Sequence, residues 1–280
     1  MENKKKNNMT IYKIFRTVLG PIYRFWYKPE IIGKENIPES GPIVVVGNHI
    51  HIMDQCNPIG VTKRCIHYMA KKEYFDPKYK EGKFPWFFRS AGCIPVDRTI
   101  HDDSAKSSAL EVLEEGHALG LFPEGTRNGL KEARAREVQE KYFKDANFEE
   151  FYKKAKNVKT SEVDYLEELI KNKKIKTKDL IDNFDDVDGY LRKLVKDKVI
   201  SEDDYYDHIF LPFKFGAVSM AQKTGAQVVP FVTTGEYKFR SKNLKVRIGK
   251  PFSIGHEEDL DKVNKKLRKT MIELYKKNEK

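Results

Sequence analysis

A histidine and an aspartate five residues apart, His49 and Asp54, are well suited by type and spacing to acid–base chemistry. They follow the apolar run 43–46, which Gly47 ends, so they lie where a buried strand passes into a loop or helix. This spacing does not place two side chains on one face of a continuous helix, but a tight strand-to-helix turn lets the carboxylate fold back onto the imidazole. The carboxylate would then fix the imidazole tautomer, and the second ring nitrogen could take a proton from a hydroxyl.

Such a pair is the orienting half of a catalytic triad without its serine, so the substrate must bring its own nucleophile. The string Asn48-His49 with Asp54 resembles the first motif of the glycerophospholipid acyltransferases, the family of the 1-acyl-sn-glycerol-3-phosphate acyltransferases. A histidine that only caps or packs is the competing interpretation of this short pattern taken alone.

The stretch 92–98 predicts a short apolar strand that ends in Asp97 and Arg98. An arginine at a strand end is well placed to bind a phosphate through two parallel hydrogen bonds. The stretch resembles the second block of the same family, which has a glycine, apolar residues and a terminal arginine. The alternative is a surface ion pair between Asp97 and Arg98, which would contribute little to stability.

The string F-P-E-G-T-R at 122–127 is the most specific in the sequence, and it follows a predicted strand that begins at Ala118. Gly125 lets the backbone approach a phosphate closely. Arg127 supplies a planar charged fork, and Glu124 could orient it or accept a substrate hydroxyl. The string matches the family's third motif, and the resemblance implies that Glu124, Gly125, Thr126 and Arg127 bind the phosphate of the acyl acceptor. An ordinary glycine turn closed by a Glu–Arg pair is the structural alternative.

The resemblance covers about residues 31–253 once a long charged segment is removed. It includes P-F-K-F-G at 212–216 and the apolar strand 226–232, in which Pro230 indicates an edge position, a strand end or a bulge. It implies an α/β fold of the glycerol-3-phosphate acyltransferase type, with a mixed, largely parallel sheet flanked by helices and an inserted all-helical subdomain.

Three parts are expected: an N-terminal amphipathic helical segment at 1–28, an acyltransferase domain at 29–130 and 211–280, and a helical insertion at 131–210. The insertion contains a set of apolar residues at helical spacing that predict one helix with a face to bury: Leu180, Ile181, Phe184, Val187, Leu191, Leu194 and Val195. It could serve as a lid, as a docking surface for a carrier or partner, or as a decorated loop without a catalytic role.

The N-terminal segment has apolar residues at helical spacing: Ile11, Ile14, Phe15, Val18, Leu19 and Ile22. Lys13, Arg16 and Thr17 are predicted on the opposite side, and Gly20-Pro21 predicts a break or kink. Two interpretations stay open. The helix lies in a lipid interface, or it is a first helix packed on the sheet.

The net charge of +11 indicates a negatively charged partner, which would be nucleic acid, anionic lipid or an acidic carrier; a basic surface that only keeps the protein soluble is the alternative. We expect no nucleic-acid partner, because no recognised motif appears and the charge is spread along the chain. No apolar run is long enough to span a bilayer. Cys56, Cys65 and Cys93 form no C-x-x-C pair, which fits a reducing cytoplasm. The expected location is therefore the cytoplasmic face of a membrane, held peripherally.

Two other enzyme classes fit these residues less well. His49, His51 and Asp54 faintly resemble the H-x-H-x-D-H cluster of metal-dependent hydrolases, but Asp54 comes one residue late and Gln55 follows it, so no metal is expected. An esterase is disfavoured because no G-x-S-x-G string is present.

The resemblance implies an O-acyltransferase of phospholipid biosynthesis. His49, oriented by Asp54, would deprotonate the free hydroxyl of 1-acyl-sn-glycerol-3-phosphate, which attacks an acyl thioester to give phosphatidic acid, and Arg98 would join the third motif in holding the phosphate. No cofactor is expected besides the co-substrate, acyl-CoA or acyl-carrier protein, and the latter would be a protein partner. Glycerol-3-phosphate or another lysophospholipid is the alternative acceptor.

Overall fold

The computed structural model describes residues 10–79, 82, 85–100 and 102–280. Residues 1–9 of the predicted N-terminal segment, and the side chains of Ile11 and Phe15 on its apolar face, lie outside that description. The chain divides into two compact units. Unit 1 comprises Met1–Pro123 with Lys214–Lys280, and unit 2 comprises Glu124–Phe213.

The strands all belong to unit 1: β1 Glu30–Ile32, β2 Ile43–Gly47, β3 Ile66–Lys71, β4 Ile94–Val96, β5 Ala118–Leu121, β6 Gln227–Thr234 and β7 Lys245–Ile248. They form one sheet in the order β1-β7-β6-β2-β5-β3-β4. Every neighbouring pair is parallel except β6 and β7, which are antiparallel. The predicted mixed, largely parallel sheet is confirmed.

The helices are α1 Thr10–Tyr27, α2 Cys56–Ile59, α3 Pro85–Ser90, α4 Asp103–Glu114, α5 Glu132–Tyr142, α6 Phe148–Ala155, α7 Thr160–Lys171, α8 Thr177–Asp182, α9 Val187–Lys196, α10 Glu202–Asp207, α11 Gly216–Thr224 and α12 Leu260–Glu279. Helices α5 to α10 make up unit 2, and the others flank the sheet of unit 1. Among the described residues, none of the helices has both the length and the hydropathy that crossing a membrane requires.

Strand β2 is buried along its whole length, as expected for a central parallel strand covered on both faces. At its carboxyl end, the ring of Phe231 from β6 fills the space beside Gly47, where an added Cβ would lie 2.1 Å from a ring carbon. Glycine is therefore needed here for close packing. Because β2, β5 and β6 run parallel, the residues that follow all three strands emerge at one edge of the sheet.

Pro230 lies inside β6, which is an interior strand, so the predicted edge position is wrong. The reason is a local gap in the ladder. β6 pairs with β7 only from Phe231 onward, while Val228 on the other side of the proline forms an isolated bridge with Phe252. Pro230 O still accepts a hydrogen bond from Gly249 N at 2.8 Å. The missing N–H thus falls where the pairing partner changes.

In unit 2, the stretch predicted as one apolar-faced helix is two helices, α8 and α9, joined by a 3₁₀ turn at Phe184–Asp186. The break arises because Asp186 caps α9, its side chain accepting from Gly189 N at 3.0 Å. Most of the apolar set is still buried, but Ile181 is exposed. Apolar residues of α8, of the turn and of α9 are thus buried although the helix is interrupted between them.

Helix α1 runs unbroken through Gly20 and Pro21, so the predicted break is wrong. Its inward side includes two buried tyrosines, Tyr12 and Tyr23, and Tyr12 OH accepts from Ile66 N at 3.1 Å. The outer side carries large apolar residues, each between 44% and 63% exposed: Ile14, Val18, Leu19, Ile22, Phe25 and Trp26. The described part of the predicted apolar face therefore does not pack on the sheet.

Candidate active site

His49 and Asp54 lie at the carboxyl end of β2 and form a hydrogen-bonded pair. His49 Nδ1 is 2.8 Å from Asp54 Oδ2, and the His49 side chain is 18% exposed whereas that of Asp54 is fully buried. An ionised carboxylate can only accept, so Nδ1 carries the proton and the basic lone pair lies on Nε2. The loop between β2 and α2 thus brings the two side chains together as their spacing predicts.

The buried Asp54 carboxylate is surrounded by donors. Oδ2 accepts the backbone N–H groups of Ile50 and His51, both at 2.7 Å, in addition to the imidazole. Oδ1 accepts the hydroxyl of Tyr237 at 2.7 Å. An ionised carboxylate is costly to bury unless it is paired and hydrogen-bonded, and these contacts meet that need. The same contacts hold the loop around His49 in one conformation.

Asn48 fixes the start of that loop. Its side chain is buried, with Nδ2 donating to Thr233 O at 2.9 Å and Oδ1 accepting from Thr233 N at 2.8 Å. The carboxamide thereby continues the pairing of β2 with β6 beyond its last register position, Gly47 opposite Phe231. His49 is the next residue, so the sheet itself determines where the imidazole begins.

The His49 ring stacks on Phe122, the residue that follows β5. The ring centroids are 4.0 Å apart and the planes differ by 10°. Since β5 neighbours β2 on the side away from β6, the imidazole is held from both adjacent strands. Stacking of this kind orients the ring through its face and does not involve the nitrogens, whose hydrogen bonds lie in the ring plane.

Sequence reasoning missed three polar residues that support the pair: Tyr237, Asn57 and Tyr23. Asn57, which is fully buried on α2, donates from Nδ2 to Tyr237 OH at 2.7 Å, and its Oδ1 accepts from Tyr23 OH at 2.5 Å. Burial raises the pKa of both tyrosines well above the usual value, and the charge of Asp54 adds to this at Tyr237. Both therefore remain phenols that can donate. The one sequence signal for any of the three is that Tyr237 comes shortly after a strand, where site residues are expected.

The nearby cysteine does not supply a nucleophile. Burial, with a further contribution from the charge of Asp54, raises the pKa of Cys56 to about 12. Because the thiolate is the reactive form of cysteine, a Cys56 side chain that stays a thiol at neutral pH is a poor nucleophile. A covalent acyl-enzyme on this side chain is thereby disfavoured.

The side-chain arrangement does not favour the metal-hydrolase alternative. The His51 ring stacks on Tyr237 with centroids 4.3 Å apart, and His51 Nδ1 is 3.3 Å from Met53 N. Both oxygens of Asp54 are already engaged by protein donors. In the part of the chain that the structure describes, no group of three or more His, Cys, Asp or Glu side chains is placed to hold a metal ion.

Arg98 follows β4 at the same edge of the sheet as His49, three strands away, or about 14 Å at the usual strand spacing. It is exposed. The alternative prediction, an ion pair between Asp97 and Arg98, is wrong, because the Asp97 carboxylate binds Lys72 and Thr99 instead. These contacts, Lys72 first, lower the pKa of Asp97 to about 2.

The other predicted phosphate-binding residues, Glu124, Gly125, Thr126 and Arg127, all lie in unit 2. Glu124 is buried and its Oε2 accepts from Leu211 N at 2.9 Å, which ties together the two ends of that unit. Gly125 has a φ of 70°, a left-handed conformation that favours glycine, and Arg127 is exposed. The role assigned to them stays a prediction.

A family model, two curated proteins and a solved structure that resemble this chain are all described as acyltransferases. The model of a family described as acyltransferase matches residues 28–234. A 1-acyl-sn-glycerol-3-phosphate acyltransferase of Bacillus subtilis (strain 168) is 31% identical over 118 residues, which is 42% of this chain and 57% of that protein. A protein of the same description from Borreliella burgdorferi is 31% identical over 103 residues, 35% of this chain and 38% of that protein. The chain therefore matches less than two thirds of the length of either relative.

Among solved structures, the 1-acyl-sn-glycerophosphate acyltransferase PlsC of Thermotoga maritima superposes with a TM-score of 0.51. The alignment covers 96% of this chain and 79% of that one, at 18% sequence identity. At this identity the similarity concerns the fold.

The geometry makes a prediction about Asp54. Asp54→Asn would present an amide N–H group where a carboxylate oxygen now accepts, so His49 would lose the tautomer with its proton on Nδ1. We expect kcat for acyl transfer to fall by about 10³- to 10⁴-fold, as in triads with the same change. Initial rates on protein shown to be folded by circular dichroism would measure this.

Asp259→Asn is the control, since asparagine caps α12 as well as aspartate does. It should leave kcat unchanged. If the folded Asp54→Asn protein turns over at a nearly normal rate, the carboxylate does not orient His49 and this prediction is wrong.

Proposed function

Because the chain belongs to the acyltransferase family, we propose that it transfers a fatty acyl group from an acyl thioester to the free hydroxyl of 1-acyl-sn-glycerol-3-phosphate. The observation that carries this proposal is the His49–Asp54 pair: a partly exposed imidazole whose Nδ1 is bonded to a buried carboxylate. The description of the two relatives supports the choice of acceptor.

The reaction follows from the proton on Nδ1. Nε2 of His49 takes the proton of the acceptor hydroxyl as its oxygen attacks the thioester carbonyl, and Asp54 stabilises the imidazolium that forms. When the tetrahedral intermediate collapses, the C–S bond breaks and the imidazolium returns the proton to the departing thiolate. The products are 1,2-diacyl-sn-glycerol-3-phosphate, which is phosphatidic acid, and a free thiol. A general base of this kind typically contributes about 10²- to 10⁴-fold to the rate.

The donor is a thioester of coenzyme A or of acyl carrier protein, acting as co-substrate without a further cofactor. We propose that the phosphate of the acceptor is bound by Arg98 and by Glu124, Gly125, Thr126 and Arg127. Exposed guanidinium groups at Arg98 and Arg127 support this, since both are open to an anionic ligand. The left-handed turn at Gly125 supports it too, because a turn of that kind can present backbone N–H groups to an anion.

We further propose that the protein works at the cytoplasmic face of a membrane, held peripherally by α1. The exposed apolar side of that helix supports this, and Trp26 and Phe25 suit the boundary between headgroups and acyl chains. Cationic residues at its flank, Lys13, Arg24 and Arg240, are exposed and would attract anionic lipid. Three unpaired cysteines fit a reducing compartment.

The function is tested by giving purified protein a panel of acyl-CoA and acyl-carrier donors against lysophosphatidate, glycerol-3-phosphate and other lysolipids, with the product identified by mass. Transfer to lysophosphatidate should exceed transfer to the other acceptors. A protein that uses none of these pairs would contradict the proposal.

Arg127→Lys tests the phosphate contact. Lysine keeps the charge but loses the fork that makes two parallel bonds to phosphate oxygens. We expect the acceptor KM to rise by about ten- to a hundredfold, with the donor KM little changed. Arg98→Lys should act in the same direction but more weakly.

A phosphate-free monoacylglycerol acceptor is the control for both variants. If Arg127→Lys impairs transfer to that acceptor as much as to lysophosphatidate, Arg127 is structural and the phosphate contact is wrong.

The membrane proposal predicts the behaviour of Val18→Glu/Ile22→Glu. Two carboxylates on the outer side of α1 should release the protein from anionic vesicles in a flotation assay, because charged groups are costly to insert among acyl chains. Activity on a soluble short-chain acceptor should persist.

Ile181→Glu/Val199→Glu, which changes two exposed aliphatic residues of unit 2, is the matched control and should leave vesicle binding intact. If both double variants bind vesicles equally well, α1 is not the membrane contact and the proposal is contradicted.

A further inference from the structure

A hydrogen-bonded chain of buried side chains leads from the active site to the inner side of α1. Tyr23 OH donates to Asn57 Oδ1, Asn57 Nδ2 donates to Tyr237 OH, and Tyr237 OH donates to Asp54 Oδ1. The three distances are 2.5, 2.7 and 2.7 Å. The acid–base pair is thus the end point of a chain that begins on the N-terminal helix.

The direction of donation is the same at every step. The Asp54 carboxylate only accepts, which obliges Tyr237 to donate its one proton to it. The lone pairs of Tyr237 then require a donor, which is the carboxamide N–H of Asn57. The carbonyl of Asn57 in turn requires a donor, which is Tyr23. Hydrogen bonds aligned in this way polarise one another, so each strengthens the next.

Asn57 is held in this orientation by a second contact, since Nδ2 also lies 3.1 Å from Thr233 Oγ1. Thr233 is the residue whose backbone binds Asn48, so one residue of β6 holds both the chain and the start of the catalytic loop. Fully buried Asn57 has little room for another rotamer.

In the described structure, Oδ1 of Asp54 accepts its hydrogen bond from Tyr237 OH. Oδ2 instead binds His49 and the backbone N–H groups of the loop. A carboxylate held at both oxygens cannot rotate about its Cβ–Cγ bond. It therefore keeps Oδ2 aimed at His49 Nδ1 throughout the reaction, when the imidazole alternates between neutral and charged forms. Tyr237 also draws negative charge toward Oδ1 and so moderates how tightly Oδ2 holds the imidazole proton.

We infer that Tyr237 is a positioning residue that acts through Asp54, and that Asn57 and Tyr23 carry this constraint from helix α1. The inference rests on the proposed function of His49 as the base. It assigns α1 a role at the active site, because the inner side of the helix supplies the first donor of the chain while the outer side exposes apolar residues.

Tyr237→Phe removes the hydroxyl and keeps the ring. We expect kcat for acyl transfer to fall by about ten- to a hundredfold, while the KM values for acceptor and donor stay within about twofold of wild type. The acidic limb of the pH–kcat profile should move to higher pH, because a carboxylate with one donor fewer holds the imidazole proton more tightly. The titratable groups around Asp54 and Tyr237 in the described residues include His49, His51, Tyr23, Cys56 and Tyr68.

Tyr23→Phe should cause a smaller loss of the same kind, below about tenfold. The double variant Tyr23→Phe/Tyr237→Phe should lose no more than Tyr237→Phe alone, because the two hydroxyls act in series. Tyr12→Phe is the matched control: it removes a buried tyrosine hydroxyl from the same helix, but one that bonds Ile66 N rather than Asn57. It should leave kcat and the pH profile unchanged.

A second readout does not depend on turnover. In protein labelled with ¹⁵N-histidine, the imidazole signals of His49, assigned by their loss in His49→Ala, should shift in Tyr237→Phe and less in Tyr23→Phe, and stay in place in Tyr12→Phe. Wild-type protein without acyl-transfer activity would overturn the proposed function, and the spectra would still test the chain.

Unchanged spectra and turnover in folded Tyr237→Phe would overturn the inference. So would a Tyr12→Phe protein that lost as much activity as Tyr23→Phe, since helix anchoring in general would then be responsible.

Discussion

The buried charge of Asp54 is the constraint on which the rest of the site depends. A carboxylate with no exposed surface is stable only when donors surround it, and here they come from the imidazole, two backbone N–H groups and a tyrosine. The loop after β2 must therefore close tightly, and the segment after β6 must reach the same point. Strand β2 pairs in parallel with β6, and the hydrogen bond from Asn48 to Thr233 extends this pairing. The pairing places the loop after β2 and the segment after β6 next to each other.

This arrangement fits the proposed acyl transfer between two bound substrates. The pair supplies a base and its orienting carboxylate, the nearby thiol of Cys56 stays protonated, and the nucleophile is left to the substrate. Phe122, which follows β5, stacks on the imidazole, and Asn48 anchors the start of the loop to Thr233 of β6, so both strands that flank β2 help to position the base. The loop is hydrogen-bonded to the sheet through Asn48 and closed around Asp54, which favours a preorganised base.

The parts of the site that are local in sequence could be predicted, and those that depend on long-range pairing could not. His49 and Asp54 are five residues apart next to an apolar strand, so their contact follows from one turn. Tyr237 lies 183 residues from Asp54, and its role needs the strand order. Pro230 and the break between α8 and α9 show the same limit, because periodicity does not reveal where a ladder or a helix is interrupted. For α1, periodicity identified an apolar side but not what it faces.

The most direct test of the account is the rate of acyl transfer from an acyl thioester to lysophosphatidate by wild type and by His49→Ala at equal folded concentration. If the imidazole is the base, the variant should lose about 10²- to 10⁴-fold in kcat with a similar acceptor KM and an unchanged thermal unfolding curve. A folded His49→Ala protein that turns over at nearly the wild-type rate would contradict the account, because no catalytic role would then be left for the pair around which the site is built.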